Sequence, residues 1–173
     1  MSNAIRVRLE TERGPIDLSL DPAHAPGTVA NFLRYVDGAF YDGGRFHRTV
    51  KPDNQPDSDV RIEVIQGGVN PDRAAQTGPP IALERTTVTG LAHRDGTISM
   101  ARFAPDSAVS DFFICIGDQP ELDFGGARNP DGQGFAAFGR VTRGMDVVRA
   151  IQRSPAEGQR LTPPIAIRTV RRA

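Results

Sequence analysis

Three histidines and one cysteine are the residues of this chain best suited to bind a metal ion or to act as a nucleophile. Zinc sites take their ligands from closely spaced Cys and His pairs, and His24, His47, His93 and Cys115 form no such pattern. Cys115 lies in the apolar run 112–116, so we expect a buried, inert thiol. His47 lies in a predicted strand and would point away from the face of its neighbours. This favours a buried, hydrogen-bonded structural histidine over a catalytic one.

Two acidic stretches and one glycine pair could also serve as ligand sites. The segment 118–123 and Asn129-Pro130-Asp131-Gly132 carry oxygen ligands of the kind that calcium prefers, but they lack the spacing of a calcium loop and are typical of turns. Gly67-Gly68 fits no phosphate-binding pattern. No nucleophile–base pair stands out either. A hydrolase or metalloenzyme is therefore disfavoured, and neither a cofactor nor a metal is predicted.

The composition is that of an ordinary globular chain. Its 173 residues are 38% hydrophobic and 24% charged, enough for one domain with a substantial core. The 21 basic and 21 acidic residues cancel, so nothing favours binding to nucleic acid or to an anionic membrane surface. No apolar run is long enough to span a bilayer. The stretch 1–4 lacks the basic and apolar regions of a signal peptide, which predicts a cytoplasmic location by default, or a periplasmic one if an export signal has been removed.

Hydrophobic periodicity predicts many short strands and two helices. Apolar and polar residues alternate over 5–9 and 16–20, and the turn residues between them predict a hairpin. Apolar residues then recur at helical spacing from about Pro26 to Val36, and a second helix is predicted to begin near Gly144. Further strands are predicted at 45–50, 62–67, 97–101, 111–116, 135–141 and 165–170.

Strands that outnumber helices and are joined by Gly- and Pro-rich loops indicate a β-barrel or a β-sandwich. No repeat, low-complexity tract or long linker divides the chain, so we expect a single domain over 1–173. The loops at 51–60 and 118–134 are long, and loops of that length in compact domains are often functional.

Six short strings in a fixed order carry a family resemblance. They are Phe46-His47-Arg48, Gln66-Gly67-Gly68, Ile98-Ser99-Met100-Ala101, Asp111-Phe112-Phe113-Ile114-Cys115, Leu122-Asp123 and Phe138-Gly139-Arg140-Val141. By these strings the chain is similar to the cyclophilins, a family of peptidyl-prolyl cis–trans isomerases, and the resemblance covers nearly the whole chain. It implies a mainly β fold, a closed eight-stranded antiparallel β-barrel capped by two α-helices, with a substrate groove on its outer face.

The implied reaction is rotation about an Xaa-Pro bond, which faces a barrier of about 18–20 kcal/mol from partial double-bond character. A catalyst can donate a hydrogen bond to the twisted amide nitrogen while it holds the proline ring in an apolar pocket. The resemblance implies that Arg48 is this donor and that Phe113 is the floor of the pocket. It implies substrate contacts at four further positions, namely Gln66, Val64, Ala101 and Leu122.

The rim of the implied groove departs from the family. An ungapped match places Glu63, Glu121, Phe135, Arg102 and Asp111 where the family usually has an aromatic residue, a tryptophan, a histidine, an asparagine and a glutamine. Arg102, Asp111 and Phe135 are therefore expected among the substrate-binding residues. Asp111 is expected within reach of Arg48 or Arg102, where it could form a charge-assisted hydrogen bond. Glu121 in place of tryptophan predicts weak binding of cyclosporin.

Two functional interpretations follow. The retention of Arg48 together with Phe113 favours an active isomerase that assists protein folding, as a divergent, bacterial-like member of the family. The alternative is a chaperone-like, peptide-binding barrel with little catalysis. Expected partners are proline-containing peptides and unfolded or flexible protein segments, with no nucleic acid and no membrane, and the resemblance implies a monomer.

Overall fold

A computed structural model describes residues 3–173. Met1 and Ser2, half of the stretch that predicts the absence of a signal peptide, lie outside the described residues. Within residues 3–173, every helix is too short or too polar to cross a bilayer.

Eight strands form a closed antiparallel barrel. Around the barrel their order is β1-β2-β7-β5-β6-β4-β3-β9, and β1 pairs with both β2 and β9, so the sheet closes on itself. A short strand, β8, pairs with β9 alone. The bounds are β1 Ile5–Thr11, β2 Gly14–Leu20, β3 Arg45–Val50, β4 Val64–Gly68, β5 Thr97–Met100, β6 Phe112–Cys115, β7 Ala137–Arg143, β8 Ala156–Glu157 and β9 Arg160–Arg172. The predicted eight-stranded antiparallel barrel is confirmed.

The strands form because their alternating apolar residues fill the barrel. In β1 the side chains of Val7 and Leu9 are fully buried while the arginines between and beside them face outward. The prediction for the last strand, 165–170, was too short. The residues on either side, 160–164 and 171–172, carry no alternating signal, yet pairing with β3 and β1 continues the strand over Arg160–Arg172.

Two longer helices pack their apolar faces on the barrel, as predicted. Helix α1, Pro26–Asp37, places Phe32 against three aromatic rings of the core. Helix α3, Met145–Gln152, buries Val148 and Ile151 and begins directly after Gly144. The chain also forms α2, Thr86–Thr89, a one-turn helix too short to show any apolar period.

A second apolar cluster lies outside the barrel core, because alternate residues of the same strands point outward. In β6, Phe112 and Ile114 belong to the barrel core, whereas Phe113 and Cys115 belong to the outer cluster. Burial raises the pKa of the Cys115 thiol well above its ordinary value, in keeping with the inert thiol predicted from sequence. The other buried members of the outer cluster are Val50, Ile62, Val64 and Leu122, with Ala101 and Phe135 packed against them.

Candidate active site

An open cavity of about 470 Å³ lies over the outer apolar cluster. It is lined by side chains from β3, β4, β6 and the loops after β5 and β6. The nine residues expected from sequence to act in catalysis or to bind substrate all line it: Arg48, Val64, Gln66, Ala101, Arg102, Asp111, Phe113, Leu122 and Phe135. Residues nearly ninety positions apart in the sequence therefore share one groove.

Phe113 forms a fixed apolar floor. Its side chain is held on one side by the Phe135 ring, edge-on at 5.5 Å between centroids, and on the other by the His93 ring, stacked at 6.0 Å. Leu122 is almost fully buried beside it, and Phe113 itself is 5% exposed. Contacts with these two rings and with Leu122 restrict the Phe113 ring, so the floor is a preformed surface.

Arg48 is held in the groove by two neutral amides. Its Nε donates to Gln159 Oε1 at 2.9 Å, and its Nη1 donates to Gln66 Oε1 at 3.0 Å. Among residues 3–173, no carboxylate lies within 4.0 Å of this guanidinium. Burial lowers the pKa of Arg48, but a guanidinium keeps its proton in proteins. Its Nη2 has no protein partner in the described chain and can donate to a bound molecule.

A β-bulge in β3 determines where His47 and Arg48 point. Phe46 pairs with Gly67 and Arg48 pairs with Gln66, so His47 is an extra residue on this strand. Phe46 consequently faces the core while Arg48, two positions later, faces the groove. The prediction that His47 is buried is wrong, because the bulge leaves its side chain 39% exposed; it is hydrogen-bonded, with Nε2 3.0 Å from Asp111 Oδ2.

Asp111 reaches Arg48 through Gln66. Its Oδ2 accepts a hydrogen bond from Gln66 Nε2 at 3.0 Å, and Gln66 Oε1 in turn accepts from Arg48. The direct charge-assisted bond that the sequence allowed is not formed, since among the described residues neither Arg48 nor Arg102 comes within 4.0 Å of this carboxylate. Gly68 makes room for the arrangement, because a Cβ at that position would overlap Asp111 Oδ1.

Arg102 supports the groove wall instead of offering a free charge. Its guanidinium forms a two-bond ion pair with Asp131, at 2.9 and 3.0 Å, and its Nε donates to Gly134 O at 2.8 Å. It also lies 4.8 Å from the centroid of the Phe135 ring. With its side chain 1% exposed, Arg102 has its charge compensated within the protein.

A Ser–His–Asp chain, with its serine and histidine buried and its aspartate partly exposed, lies behind the floor and was not predicted from sequence. His93 Nδ1 lies 2.7 Å from Asp123 Oδ1, and its Nε2 lies 2.9 Å from Ser99 Oγ. The order resembles a hydrolytic triad, but Ser99 is fully buried and has no access to a substrate. We interpret the chain as a brace for the Phe113 ring, on which His93 stacks. The loop before β5 supplies His93, β5 supplies Ser99 and the loop after β6 supplies Asp123. The spacing of these residues in the sequence therefore did not indicate the chain.

Two positions assigned to the groove from sequence lie elsewhere. Glu63 faces away and accepts a hydrogen bond from Gln152 Nε2 at 3.1 Å, while its neighbour Ile62 lines the groove. Glu121 does not line the cavity; its backbone oxygen accepts from the backbone N–H of Arg128 at 3.2 Å. Arg128 lines the groove and was not predicted to do so. Within residues 3–173, no cluster of three or more His, Cys, Asp or Glu side chains could hold a metal.

A family model and individual relatives all identify the chain as similar to peptidyl-prolyl cis–trans isomerases. The family model described as "Cyclophilin type peptidyl-prolyl cis-trans isomerase/CLD" matches residues 6–172. A peptidyl-prolyl cis-trans isomerase of Streptomyces antibioticus is 43% identical over 148 residues, which are 84% of this chain and 82% of that protein. Peptidyl-prolyl cis-trans isomerase B of Escherichia coli (strain K12) is 34% identical over 147 residues, with 84% and 83% covered.

The fold matches solved structures over almost its full length. The crystal structure of a Cryptosporidium parvum cyclophilin type peptidyl-prolyl cis-trans isomerase superposes with a TM-score of 0.78 at 22% identity, covering 98% of each chain. A second structure of that protein, obtained in the presence of the dipeptide Ala-Pro, gives a TM-score of 0.76. With a family model that spans the barrel from β1 to β9 and relatives above 30% identity, this chain belongs to the cyclophilin-type peptidyl-prolyl cis–trans isomerase family.

Proposed function

We propose that the chain isomerises Xaa-Pro bonds in peptides and flexible protein segments, with Arg48 as the catalytic hydrogen-bond donor. The observation that carries the proposal is the placement of an unpaired, charged donor, Arg48 Nη2, in the same groove as an apolar floor built on Phe113. The reaction needs both elements and no more.

The rate enhancement comes from groups that bind the twisted amide better than the planar one. In the planar bond the nitrogen lone pair is delocalised into the carbonyl and accepts hydrogen bonds poorly. As the bond twists, the lone pair localises on nitrogen and accepts a hydrogen bond from Arg48. That bond exists only near the transition state, so it lowers the barrier without tightening the ground state. No bond is made or broken, and no proton is transferred.

The apolar wall keeps the proline ring still while the other side of the bond rotates. Phe113 is the floor of this pocket, and Ala101 leaves space at its edge. Four more apolar side chains complete the wall, namely Ile62, Val64, Leu122 and Phe135. Gln66 and Gln159 fix the guanidinium beside this pocket, so little side-chain freedom is lost when substrate binds.

The proposal extends to the partners. Proline-containing peptides fit the groove, and a structure of the Cryptosporidium relative was obtained in the presence of the dipeptide Ala-Pro. We also propose that 1–173 acts as one domain and as a monomer, without a metal or cofactor.

Exchange NMR on a short Xaa-Pro peptide tests the proposal. The exchange rate between cis and trans resonances should rise in proportion to the concentration of the protein. The test also decides between catalysis and a chaperone-like peptide-binding barrel. Peptide resonances that shift without any gain in exchange rate would support the binding barrel and contradict catalysis.

A further inference from the structure

A second arginine, Arg128, lies in the groove near Arg48. It belongs to the long loop between β6 and β7 and lines the same cavity as Arg48 and Phe113. Its Nη1 donates to Gln55 Oε1 and to Val60 O, both at 2.7 Å. These contacts join the two long loops, 51–60 and 118–134, at one end of the groove.

The fold of its loop fixes the backbone of Arg128. The chain turns back tightly at Gly126, whose missing side chain allows it to lie against the backbone of Glu121. The backbone N–H of Arg128 then donates to Glu121 O at 3.2 Å. The side chain is therefore positioned by contacts at both its ends, unlike a freely moving surface arginine.

The charge of Arg128 is not compensated within the protein. Both acceptors of Nη1 are neutral, and among residues 3–173 no carboxylate lies within 4.0 Å of the guanidinium. Arg102, in the same cavity, has Asp131 as its ion-pair partner. Burial, together with the positive charges of Arg48 and Arg61, lowers the pKa of Arg128. Positive charges therefore lie close together at this end of the groove, and a bound anion would reduce the repulsion between them.

The acidic groups nearby do not supply that anion. Asp111 lies on the far side of Gln66 from Arg48, where its Oδ2 already accepts from Gln66 and contacts His47. The exposed carboxylates of the 51–60 loop, Asp53, Asp57 and Asp59, form no ion pair with any described arginine. Charge in the groove is therefore separated, positive at the Arg128 end and negative at the Asp111 end.

We propose that Arg128 selects substrates that carry an acidic side chain beside the proline. The inference rests on the proposed isomerase function and names its substrate class. An Asp or Glu flanking a proline held on Phe113 would enter the positive end of the groove and pair with the fixed guanidinium. Charge complementarity at the rim of a binding site favours specificity in this way.

Matched peptides test the proposal. The ratio of kcat/KM for Glu-Pro over Gln-Pro peptides, and for Pro-Glu over Pro-Gln peptides, isolates the charge. We expect the Glu/Gln ratio of kcat/KM to be about three or more on at least one side of the proline at low ionic strength. A ratio of this size lies in the upper part of the range measured for single ion pairs near a protein surface. The ratio should fall towards one as salt is added, because ions screen the pair. This salt test needs no variant.

Three variants identify the residue responsible. Arg128→Gln should bring the Glu/Gln ratio to about one, and Arg128→Lys should retain part of it because the charge remains. Arg13→Gln, which removes the same charge from an exposed turn outside the cavity, should keep the wild-type ratio. A thermal melt of each variant checks that the two loops are still folded.

The outcomes separate this inference from the function on which it rests. If no peptide is isomerised, the proposed function fails. If both Glu and Gln peptides are isomerised equally by the wild type, or if Arg128→Gln keeps the preference, the isomerase stands and Arg128 is not its specificity residue.

Discussion

Gln66 and Arg48 are joined by a hydrogen bond that Asp111 supports from outside the pair. Arg48 Nη1 donates to Gln66 Oε1 at 3.0 Å, so the amide must present its oxygen to the guanidinium. The other end of the amide, Nε2, donates to Asp111 Oδ2 at 3.0 Å. A guanidinium only donates and a carboxylate only accepts, so Arg48 and Asp111 both exclude the flipped amide, which would turn Nε2 towards Arg48 and Oε1 towards Asp111. Asp111 thus orients Arg48 without touching it.

Asp111→Asn should therefore impair catalysis indirectly, because it loosens the position of Gln66 and hence of Arg48. An Asn amide can donate as well as accept, so only Arg48 still excludes the flipped Gln66 amide, and the acceptor beside Arg48 is held less firmly. We expect kcat to fall by about three- to tenfold with little change in KM, or about 0.7–1.4 kcal/mol. Gln66→Leu, which removes the link, should lower kcat at least as much. A fall confined to KM would indicate that Asp111 contacts substrate instead.

Arg48→Ala should abolish most of the activity while the fold survives. Losing the donor to the twisted nitrogen should reduce kcat/KM by at least about tenfold, or 1.4 kcal/mol. The two lost hydrogen bonds to neutral amides should cost about 1 kcal/mol of stability, or roughly 2–4 °C in Tm. Arg48→Lys is the matched control, since it keeps the charge without the fork that reaches both Gln66 and Gln159. Full activity in Arg48→Ala would refute the mechanism.

Phe113→Ala should reduce both activity and stability. The substitution removes the floor of the pocket and leaves a cavity between the rings of His93 and Phe135. Loss of a buried Phe side chain typically costs about 3–5 kcal/mol in unfolding free energy. Phe113→Leu keeps an apolar floor and should lose less of both. Denaturant unfolding and peptide exchange measured on the same samples check the prediction, and an unchanged turnover would place the proline pocket elsewhere.

The fold and the membership of the groove could largely be predicted from sequence. Alternation identified β1 and β2, whose buried residues alternate with more exposed ones, whereas β5 and β6 are buried at every residue and carry no such pattern. The family and the fold expected from six strings are confirmed. The roles of the individual groove residues stay predictions. Glu63 was misplaced because it lies an odd number of positions from Gln66, and odd offsets in a strand reach the opposite face. Ile62, at an even offset, lines the groove.

The positions of His47 and Arg128 could not be predicted from the sequence. The bulge at His47 inserts one residue into β3 and so shifts the alternation of inward and outward side chains. The residue types of the strand do not reveal this shift, and alternation alone therefore predicts the wrong face for His47. Arg128 comes from a loop that contacts Gln55 and Val60, which lie 73 and 68 positions earlier. Local patterns carry no information on such long-range contacts, and both residues could be located only in three dimensions.

The hydrogen-bonded pair of His93, which is buried, and Asp123, whose side chain is 24% exposed, leads to a prediction about stability and pH. Burial alone would favour the neutral acid, but hydrogen bonds from the side chain and backbone of His93, together with the positive charge of Arg94, outweigh it and hold the pKa of Asp123 below its ordinary value. A carboxylate with a lowered folded-state pKa binds fewer protons folded than unfolded. Its contribution to stability is therefore complete above the unfolded pKa, about 3.9, and is lost as the pH falls through the lower folded value.

Asp123→Asn isolates this contribution because the amide oxygen can still accept from His93 while the charge is gone. We expect the variant to have a lower Tm than the wild type at pH 7, and the gap to narrow as the pH is lowered below about 4. The other acidic residues titrate in both proteins, so their effects cancel in the difference between the two Tm values. A gap that stays constant from pH 7 to pH 2.5 would mean that Asp123 stabilises the fold by packing and hydrogen bonding alone, with no contribution from its charge.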